Sequence, residues 1–265
     1  MSRTLEGNHT LAGTCGIAVM AKASLPGRAK TRLVPPLTFT EASDFNTAFL
    51  RDVAENIGAA AREAPINGYV AFGPPDSVGF FSSMLPPSIG LIDAWHPNFG
   101  DCLFTAIAQL FARGHAASVV LNSDSPTLPT SFLIETAQRL AHPGDRAILG
   151  PSSDGGYYLL GLKAPHRRLF EQVAWSTELV AAQTLERAAE IGLDVEVLPE
   201  WYDVDDACSL RMLCAEFDEV VPAPSERRRY TALHSARLMR TLMATSDLRS
   251  RLETVSGRSI QRAAE

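Results

Sequence analysis

The sequence lacks the short signatures that mark several large enzyme classes. It has no Gly-x-Ser-x-Gly nucleophile elbow, no Walker A loop and no Gly-x-Gly-x-x-Gly fingerprint. These absences argue against a serine hydrolase, a P-loop NTPase and an ordinary NAD enzyme. The six histidines show no His-Glu-x-x-His spacing, so the usual sequence signal of a zinc hydrolase is missing as well.

The four cysteines are widely spaced and form neither a Cys-x-x-Cys pair nor a zinc motif. A chain of 265 residues with 46% hydrophobic residues can build a large core without disulfides, so we expect free thiols in a reducing cytosol. No apolar run approaches the ~20 residues that span a membrane. The polar start of the chain also lacks the apolar core of a signal peptide, and we predict a cytoplasmic protein.

The net charge of -6 does not favour general nucleic-acid binding. Positive charge is concentrated near the C-terminal end, where residues 225–265 hold nine arginines against four acidic residues. A Val-Val-Pro-Ala-Pro linker at 220–224 precedes this segment. The sequence leaves three roles for the segment open: packing on the body, pairing of subunits in a homo-oligomer, or binding of an acidic partner.

Short apolar runs alternate with helical patterns through most of the chain. Runs typical of buried strands occur at 17–20, 69–72, 89–92, 118–121, 147–149, 157–160 and 195–198. Apolar residues at three-to-four spacing predict helices at 39–62, 101–112, 132–140, 177–191, 207–217, 227–243 and 247–255. This order predicts an α/β fold with a mostly parallel, Rossmann-like sheet flanked by helices. We expect a disordered lead-in at 1–12, a sheet domain at 13–219 and an Arg-rich helical extension at 220–265.

A basic loop follows the first predicted strand. Lys22 and the segment Pro26-Gly27-Arg28-Ala29-Lys30-Thr31-Arg32-Leu33 place four cations within eleven residues. Open α/β sheets bind their ligands at the carboxyl ends of the strands. Gly27 lets the backbone approach a ligand, and Lys and Arg donate charge-assisted hydrogen bonds to phosphate oxygens. We therefore predict that this loop binds a polyphosphate.

Two acidic loops also follow predicted strands. Asp124 lies in Asn122-Ser123-Asp124-Ser125-Pro126, directly after the fourth strand, and Asp203-Val204-Asp205-Asp206 follows the last one. One or two carboxylates together with phosphate oxygens form the ligand set that Mg²⁺ prefers. Two alternatives stay open here: Asp124 can stabilise a turn, and Asp205 or Asp206 can cap the next helix.

Two further loops carry residues that could contact a substrate. Asp154-Gly155-Gly156 offers a carboxylate beside a permissive backbone, although the same tripeptide is common in hairpin turns. Trp175-Ser176-Thr177 precedes a predicted helix, where Ser176 or Thr177 can act as the N-cap. Trp175 then forms either a wall of the ligand site or part of the core.

The motifs in this order resemble a bacterial family of small glycosyltransferase-A-fold proteins. That family carries a domain of unknown function and is often labelled as a glycosyltransferase. It is similar in turn to 2-phospho-lactate guanylyltransferases and, more distantly, to molybdenum-cofactor and sugar nucleotidyltransferases. The resemblance covers about residues 16–217 and implies the glycosyltransferase-A fold there. The matching segments are 21–33, 123–126, 150–161, 175–177 and 203–205.

The resemblance implies a role for each matching residue. Arg28, Lys30 and Arg32 would hold the phosphates of a nucleotide-activated donor, and Lys30 and Arg32 would stabilise the leaving phosphate. The metal ligands for Mg²⁺ or Mn²⁺ would be Asp124, Asp203 and Asp205. Asp154 would orient or deprotonate a small-molecule acceptor. Other candidate contacts with the nucleotide or substrate are Lys22, Gly27, Asp101, Ser123, Gly155, Gly156, Tyr157, Trp175 and Ser176.

Two stretches depart from the family pattern. After Asp205, Asp206-Ala207 replaces the usual Thr-Pro, which keeps the metal position but changes the cap of the following helix. At 97–104 the family's Gln-Gly-x-Gly-Asp-Leu-Gly-x-Arg pattern keeps only Gly100, Asp101 and a helix start. A preference for a particular base or acceptor therefore cannot be transferred from the family.

We predict an enzyme: a Mg²⁺-dependent transferase of the glycosyltransferase type that uses a nucleotide-activated donor. The alternative is nucleotidyl transfer from an NTP to a phosphorylated or phosphonate acceptor, because a triphosphate needs more cations than a diphosphate. A second alternative is a non-catalytic nucleotide-binding protein. The departure at 97–104 and the Arg-rich extension favour that second alternative.

Overall fold

The computed structural model describes residues 11–218 and 228–254. The strands are β1 (Cys15–Lys22), β2 (Ile66–Gly73), β3 (Gly90–Asp93), β4 (Ala117–Leu121), β5 (Ala147–Pro151), β6 (Tyr157–Leu162) and β7 (Val195–Val197). The helices are α1 (Phe39–Ala60), α2 (Val78–Met84), α3 (Phe99–Ala112), α4 (Thr130–Ala141), α5 (Val180–Glu190), α6 (Ala207–Asp218) and α7 (Leu233–Thr245). Residues 248–254 are helical as well. The first ten residues of the expected lead-in and the 220–224 linker lie outside the described residues.

The strands form one seven-stranded sheet in the order β3-β2-β1-β4-β6-β5-β7. β1 pairs in parallel with β2 and β4, whereas β6 is antiparallel to both β4 and β5. The prediction of a mostly parallel sheet flanked by helices is therefore confirmed. Among the described residues, no helix combines the length and the apolar character that crossing a membrane requires.

Both faces of the sheet are covered, which explains why its strands are continuous apolar runs. Along β1, Ile17 and Val19 belong to the core under α1 and α4, while Ala18 belongs to the core under α3. All three side chains are fully buried. This packing fixes the carboxyl ends of β1 and β4 side by side, and the loops after both strands carry predicted site residues.

Some helices differ from the predictions, either in their existence or in the residue at which they start. α2 was not predicted, because a seven-residue helix with only Phe81 buried gives no clear periodic pattern. α5 begins at Val180 rather than at residue 177. The Thr177 hydroxyl donates to the Ala174 carbonyl and accepts from the Leu179 amide, so this residue stabilises a turn before the helix. The prediction of Ser176 or Thr177 as the N-cap is therefore wrong.

The C-terminal segment packs on the body through a hydrophobic cluster of its own. Met239 of α7 and Leu248 and Leu252 of the last helix lie in this cluster with residues of α1 and α6. The body contributes Leu33, Leu37, Phe45, Phe49, Val204, Leu210 and Leu213. Of the three roles left open for the segment, the structure shows packing on the body.

Two polar contacts also fix this segment to α1. The carboxylate of Asp52, fully buried, accepts hydrogen bonds from the His234 and Ser235 amides at 2.9 and 2.8 Å, which caps the start of α7. Arg251 pairs with Glu41 through two hydrogen bonds of 2.9 and 2.7 Å and also donates to the Pro36 carbonyl. The start of α1, directly after the basic loop, is therefore held by the end of the chain.

Leu248→Ala tests whether the C-terminal segment is part of the core. Leu248 is fully buried, so its truncation should destabilise the protein by about 2–5 kcal/mol. Leu233→Ala is the matched control, because Leu233 is 57% exposed and its truncation should change stability little. Urea unfolding of both variants measures the difference. Equal stability of the two would show that the segment does not contribute to the core.

Candidate functional site

A cleft of about 770 Å³ opens at the carboxyl ends of β1, β2 and β4. It lies where open α/β sheets bind their ligands. Most of the predicted site residues line it: Lys22, Arg28, Lys30, Arg32, Ser123, Asp124, Asp154, Gly156, Tyr157, Trp175, Ser176 and Asp205. The predicted residues that do not line it are Gly27, Asp101, Gly155 and Asp203.

The basic loop after β1 is held by apolar anchors and exposes most of its cations. Ala29 and Leu33 are buried, at 5% and 0% exposure, whereas Lys22, Arg28 and Arg32 are exposed at the cleft. Within residues 11–218 and 228–254, no carboxylate lies within ion-pair distance of these three cations. They are therefore free to bind an anion in the cleft.

Lys30 is placed differently from its neighbours in the loop. Its side chain is 6% exposed, and Nζ lies 2.8 Å from Asp124 Oδ1 and 2.7 Å from Asp205 Oδ1. Nζ also donates to the Val204 carbonyl at 2.9 Å and lies 5.5 Å from the centre of the Phe49 ring. Burial lowers the pKa of Lys30, but the two carboxylates outweigh it and hold the pKa above its ordinary value. The sequence predicted that Lys30 contacts phosphate, and in this structure it contacts the carboxylates instead.

The two acidic loops converge as the sequence predicts. The Val204 amide donates to the Asp124 carbonyl at 2.8 Å, and the Ser125 hydroxyl donates to the Tyr202 carbonyl at 2.9 Å. These bonds join the loop after β4 to the loop after β7. The side chains of Asp124 and Asp205 consequently face one point, which the Lys30 ammonium occupies.

Asp203 lies beside this cluster, although it does not line the cleft. Burial, followed by the charges of Asp205, Asp154 and Asp124, raises the pKa of Asp203 to about 7. Four carboxylates therefore share this region with Lys30. Like charges held this closely favour either a proton or a further cation.

The third acid of the trio has a structural role. Asp206 Oδ1 accepts hydrogen bonds from the Cys208 and Ser209 amides, both at 2.8 Å, and caps α6. The capping alternative thus holds for Asp206, while Asp203 and Asp205 remain available at the cluster. Sequence alone could not divide the trio, because three adjacent acids before a helix are all plausible caps.

The oxygen atoms of this cluster suit a hard divalent cation such as Mg²⁺ or Mn²⁺. Asp124 and Asp205 present carboxylate oxygens to one point, and with Asp203 and Asp154 beside them the carboxylates outnumber the single ammonium of Lys30, which leaves an excess of negative charge. A second acidic group is formed by Asp52, Glu55 and His234. There the amides at the start of α7 and the Ser235 hydroxyl already bind both oxygens of Asp52, so helix capping accounts for it.

Asp154 lies in the turn between β5 and β6, so the hairpin alternative and the cleft position both hold. Its Oδ1 accepts from the Gly156 amide at 2.9 Å, and the carboxylate is exposed at the cleft. Gly155 has φ +87°, and a Cβ there would lie 2.2 Å from the Glu178 carbonyl oxygen. A glycine is therefore required for this turn to pack against the start of α5.

Aromatic side chains form the other wall of the cleft. Trp175 and Phe99 pack edge to face with ring centroids 5.5 Å apart. Trp95, after β3, lies across the end of β2, where a Cβ on Gly73 would be 2.4 Å from its ring. Trp95 and Phe99 are 51% and 46% exposed. Neither residue was predicted from the sequence, although Trp95 lies three residues after a predicted strand.

The segment at 97–104 contributes apolar rather than polar contacts. Phe99 and Cys102 line the cleft, whereas Asp101 pairs with Arg167 at 2.8 Å and does not line it. This differs from the expectation that Asp101 contacts the substrate. The segment that departs from the family pattern therefore supplies an aromatic ring and a thiol to this wall.

Comparison with known proteins finds one family model and several solved structures that are similar to this chain. Residues 56–177 match the model of a family described as an uncharacterized protein conserved in bacteria (DUF2064). A proposed nucleotide-diphospho-sugar transferase from Desulfovibrio desulfuricans G20 is similar over 87% of this chain and 98% of its own, with 25% identity and a TM-score of 0.72. No curated protein matches the sequence.

Two synthetases are similar in fold alone. A CMP:2-keto-3-deoxy-manno-octonic acid synthetase, solved with CTP, matches 78% of this chain and 100% of its own at 13% identity and a TM-score of 0.50. A 4-diphosphocytidyl-2C-methyl-D-erythritol synthase from Anaerococcus prevotii DSM 20548 matches 78% and 100% at 9% identity and a TM-score of 0.51. The predicted transferase fold is thus confirmed, and the prediction of an enzyme agrees with these neighbours. The relation to 2-phospho-lactate guanylyltransferases stays a prediction.

Asp203→Asn tests the charge excess through stability. Since the folded pKa of about 7 exceeds the ordinary value of about 4, the folded protein keeps this proton longer, and stability falls as pH rises between those values. The Asp203→Asn variant has no carboxyl group to titrate at this position, so its stability should not fall in this way. At pH 8 with EDTA it should be more stable than the parent by about 1–2 kcal/mol, a figure reduced for solvent screening.

Thermal or urea unfolding from pH 4 to 8 measures this effect. Asp76→Asn is the control, because Asp76 is exposed and lies outside the cleft lining. It should leave the pH profile unchanged. An Asp203→Asn variant that is less stable than the parent at pH 8 would contradict the charge excess.

Proposed function

We propose that the protein is a metal-dependent transferase that uses a nucleotide-activated donor, with glycosyl transfer as the first candidate. One observation carries the proposal: three cations that have no carboxylate partner among the described residues line the same cleft as the converging carboxylates of Asp124 and Asp205. Cations bind the donor's phosphates, and carboxylates bind the metal that accompanies them. A cleft that binds a neutral ligand would need neither these cations nor the converging carboxylates.

The donor's phosphates are expected along the basic loop. Lys22, Arg28 and Arg32 line the cleft and have no carboxylate partner in the part of the chain that the structure describes, so each can donate charge-assisted hydrogen bonds to phosphate oxygens. Arg32 follows Lys30, the partner of both carboxylates, by two residues and lines the same cleft. We assign Arg32 to the leaving phosphate, where a fixed positive charge stabilises the transition state.

The metal would be held by Asp124 and Asp205, with Asp203 beside them. When bound, it would neutralise phosphate charge as a Lewis acid. Asp154 lines the cleft and has an exposed carboxylate. It would accept the proton of an acceptor hydroxyl as that oxygen attacks the sugar carbon and the nucleoside diphosphate leaves.

The nucleobase is expected on the aromatic wall. Trp95 rests on the end of β2, Asp124 follows β4, and β1 lies between these two strands. The separation is about two strand spacings, or about 10 Å. The exposed Trp95 ring can therefore stack on a base while the phosphates extend toward the basic loop.

Similarity to a proposed nucleotide-diphospho-sugar transferase supports glycosyl transfer as the first candidate. The three free cations support the second candidate, nucleotidyl transfer, because a triphosphate carries more charge than a diphosphate. In that reaction a phosphate or phosphonate oxygen attacks the α-phosphorus and pyrophosphate leaves.

Incubation with UDP- and GDP-sugars, and separately with NTPs, distinguishes nucleoside diphosphate release from pyrophosphate release. Nucleotide binding with neither product would indicate a non-catalytic protein.

Asp124→Asn and Asp205→Asn test the metal site. Each keeps the size of the side chain but removes a charged ligand, so Mg²⁺ should no longer strengthen nucleotide binding. Calorimetry with and without Mg²⁺ should show at least a tenfold loss of this effect. Asp76→Asn, an exposed acid outside the cleft lining, should keep it. Full metal-dependent affinity in both cleft variants would refute the assignment.

Trp95→Ala tests the base site. Loss of one stacking platform should weaken nucleotide binding about 5- to 150-fold, the equivalent of about 1–3 kcal/mol. Trp95→Phe should retain most of the affinity, because a smaller ring still stacks. Phe39→Ala is the control, since Phe39 is 52% exposed outside the cleft lining. Unchanged affinity in Trp95→Ala would place the base elsewhere.

A further inference from the structure

We propose that Lys30 is an internal cation that competes with the divalent metal for Asp124 and Asp205. The proposal rests on the proposed function, because it concerns how that site is loaded. A divalent metal would then bind weakly by itself, and metal and polyphosphate would each strengthen the binding of the other. Lys30 would then be a positioning residue in the free protein and a phosphate ligand in the loaded one.

In this structure each of the three N–H donors of the Lys30 ammonium has an oxygen acceptor. An ammonium group has three N–H donors, and Nζ has three oxygen neighbours at 2.7–2.9 Å: Asp124 Oδ1, Asp205 Oδ1 and the Val204 carbonyl. The Phe49 ring lies on a fourth side, 5.5 Å away. The ammonium is thus surrounded by oxygens as a bound metal ion would be.

A divalent cation cannot use the same carboxylate oxygens while Lys30 remains there. Both Oδ1 atoms lie within hydrogen-bond distance of one Nζ, and two cations at that point would repel each other. Metal binding therefore requires that Nζ moves away. Lys30 lies between Arg28 and Arg32 in the chain and lines the same cleft. Phosphates bound by the two arginines would therefore offer new acceptors to the Lys30 ammonium.

This arrangement couples the two ligands. Without phosphate, the displaced ammonium exchanges its carboxylate partners for water alone, so the protein resists metal. With phosphate present, the same movement gains hydrogen bonds, and the metal site opens. Coupling of this kind requires that each ligand strengthens binding of the other by the same factor.

The direct test is Mn²⁺ affinity without nucleotide, measured by the electron paramagnetic resonance signal of free Mn²⁺. Lys30→Met keeps the aliphatic stem and removes the competitor, so Mn²⁺ should bind at least tenfold more tightly. Lys163→Met is the control, because it removes the same charge from a lysine that does not line the cleft and that donates to the His142 carbonyl. The control should bind Mn²⁺ as the parent does. Unchanged or weaker Mn²⁺ binding in Lys30→Met would overturn the proposal.

A second measurement uses the unmodified protein and does not depend on the folding of a variant. The chain has only three lysines, Lys22, Lys30 and Lys163, so acetylation by acetic anhydride can be followed at each by peptide mass spectrometry. Lys30 should react slowly, and saturating Mg²⁺ should raise its acetylation several-fold. Lys163 donates to the His142 carbonyl and does not line the cleft, so it serves as the internal control.

The outcomes separate this proposal from the proposed function. Metal binding that leaves Lys30 acetylation unchanged overturns the competition and keeps the metal-dependent transferase. Nucleotide binding with no Mn²⁺ binding in the parent or in Lys30→Met overturns both, and Lys30 would then be a permanent substitute for the metal.

Discussion

The charge balance around Lys30 determines how the rest of the site is arranged. Asp124, Asp205 and the Val204 carbonyl all bind its ammonium, although they lie about 90 to 175 residues further along the chain. Without that cation, the carboxylates would repel each other in a partly buried position. Hydrogen bonds join the loops after β4 and β7, and the positive charge of Lys30 stabilises the point at which the loop after β1 meets them.

The hydrophobic cluster beneath this point supplies the second condition. Leu33 and Val204, which flank Lys30 and Asp205 in sequence, are fully buried in it, and the C-terminal helices complete it. An ion pair is worth most when its partners are already fixed and partly desolvated. Apolar packing at the far end of the chain thus sets the strength of a polar contact near its start.

The sequence predicted what depends on local pattern. The apolar runs of β1 and β4 predicted the sheet, and the position of Asp124 after β4 predicted a residue at its open edge. It could not predict the partner of Lys30, because charge and spacing do not tell whether a lysine faces phosphate or carboxylate. The exposure of Trp95 could not be predicted for a similar reason. It depends on the close approach of the indole ring to Gly73, which no periodic pattern in the sequence indicates.

The position of Leu248, Arg251 and Leu252 has a consequence for biosynthesis. During translation the basic loop and α1 emerge long before these residues, which later cover Phe49 and pair with Glu41. Contacts between such distant segments form late, because long loops must close first. A nascent or prematurely ended chain would therefore carry the cations that we propose to bind phosphate before the packing that supports the carboxylate site is complete.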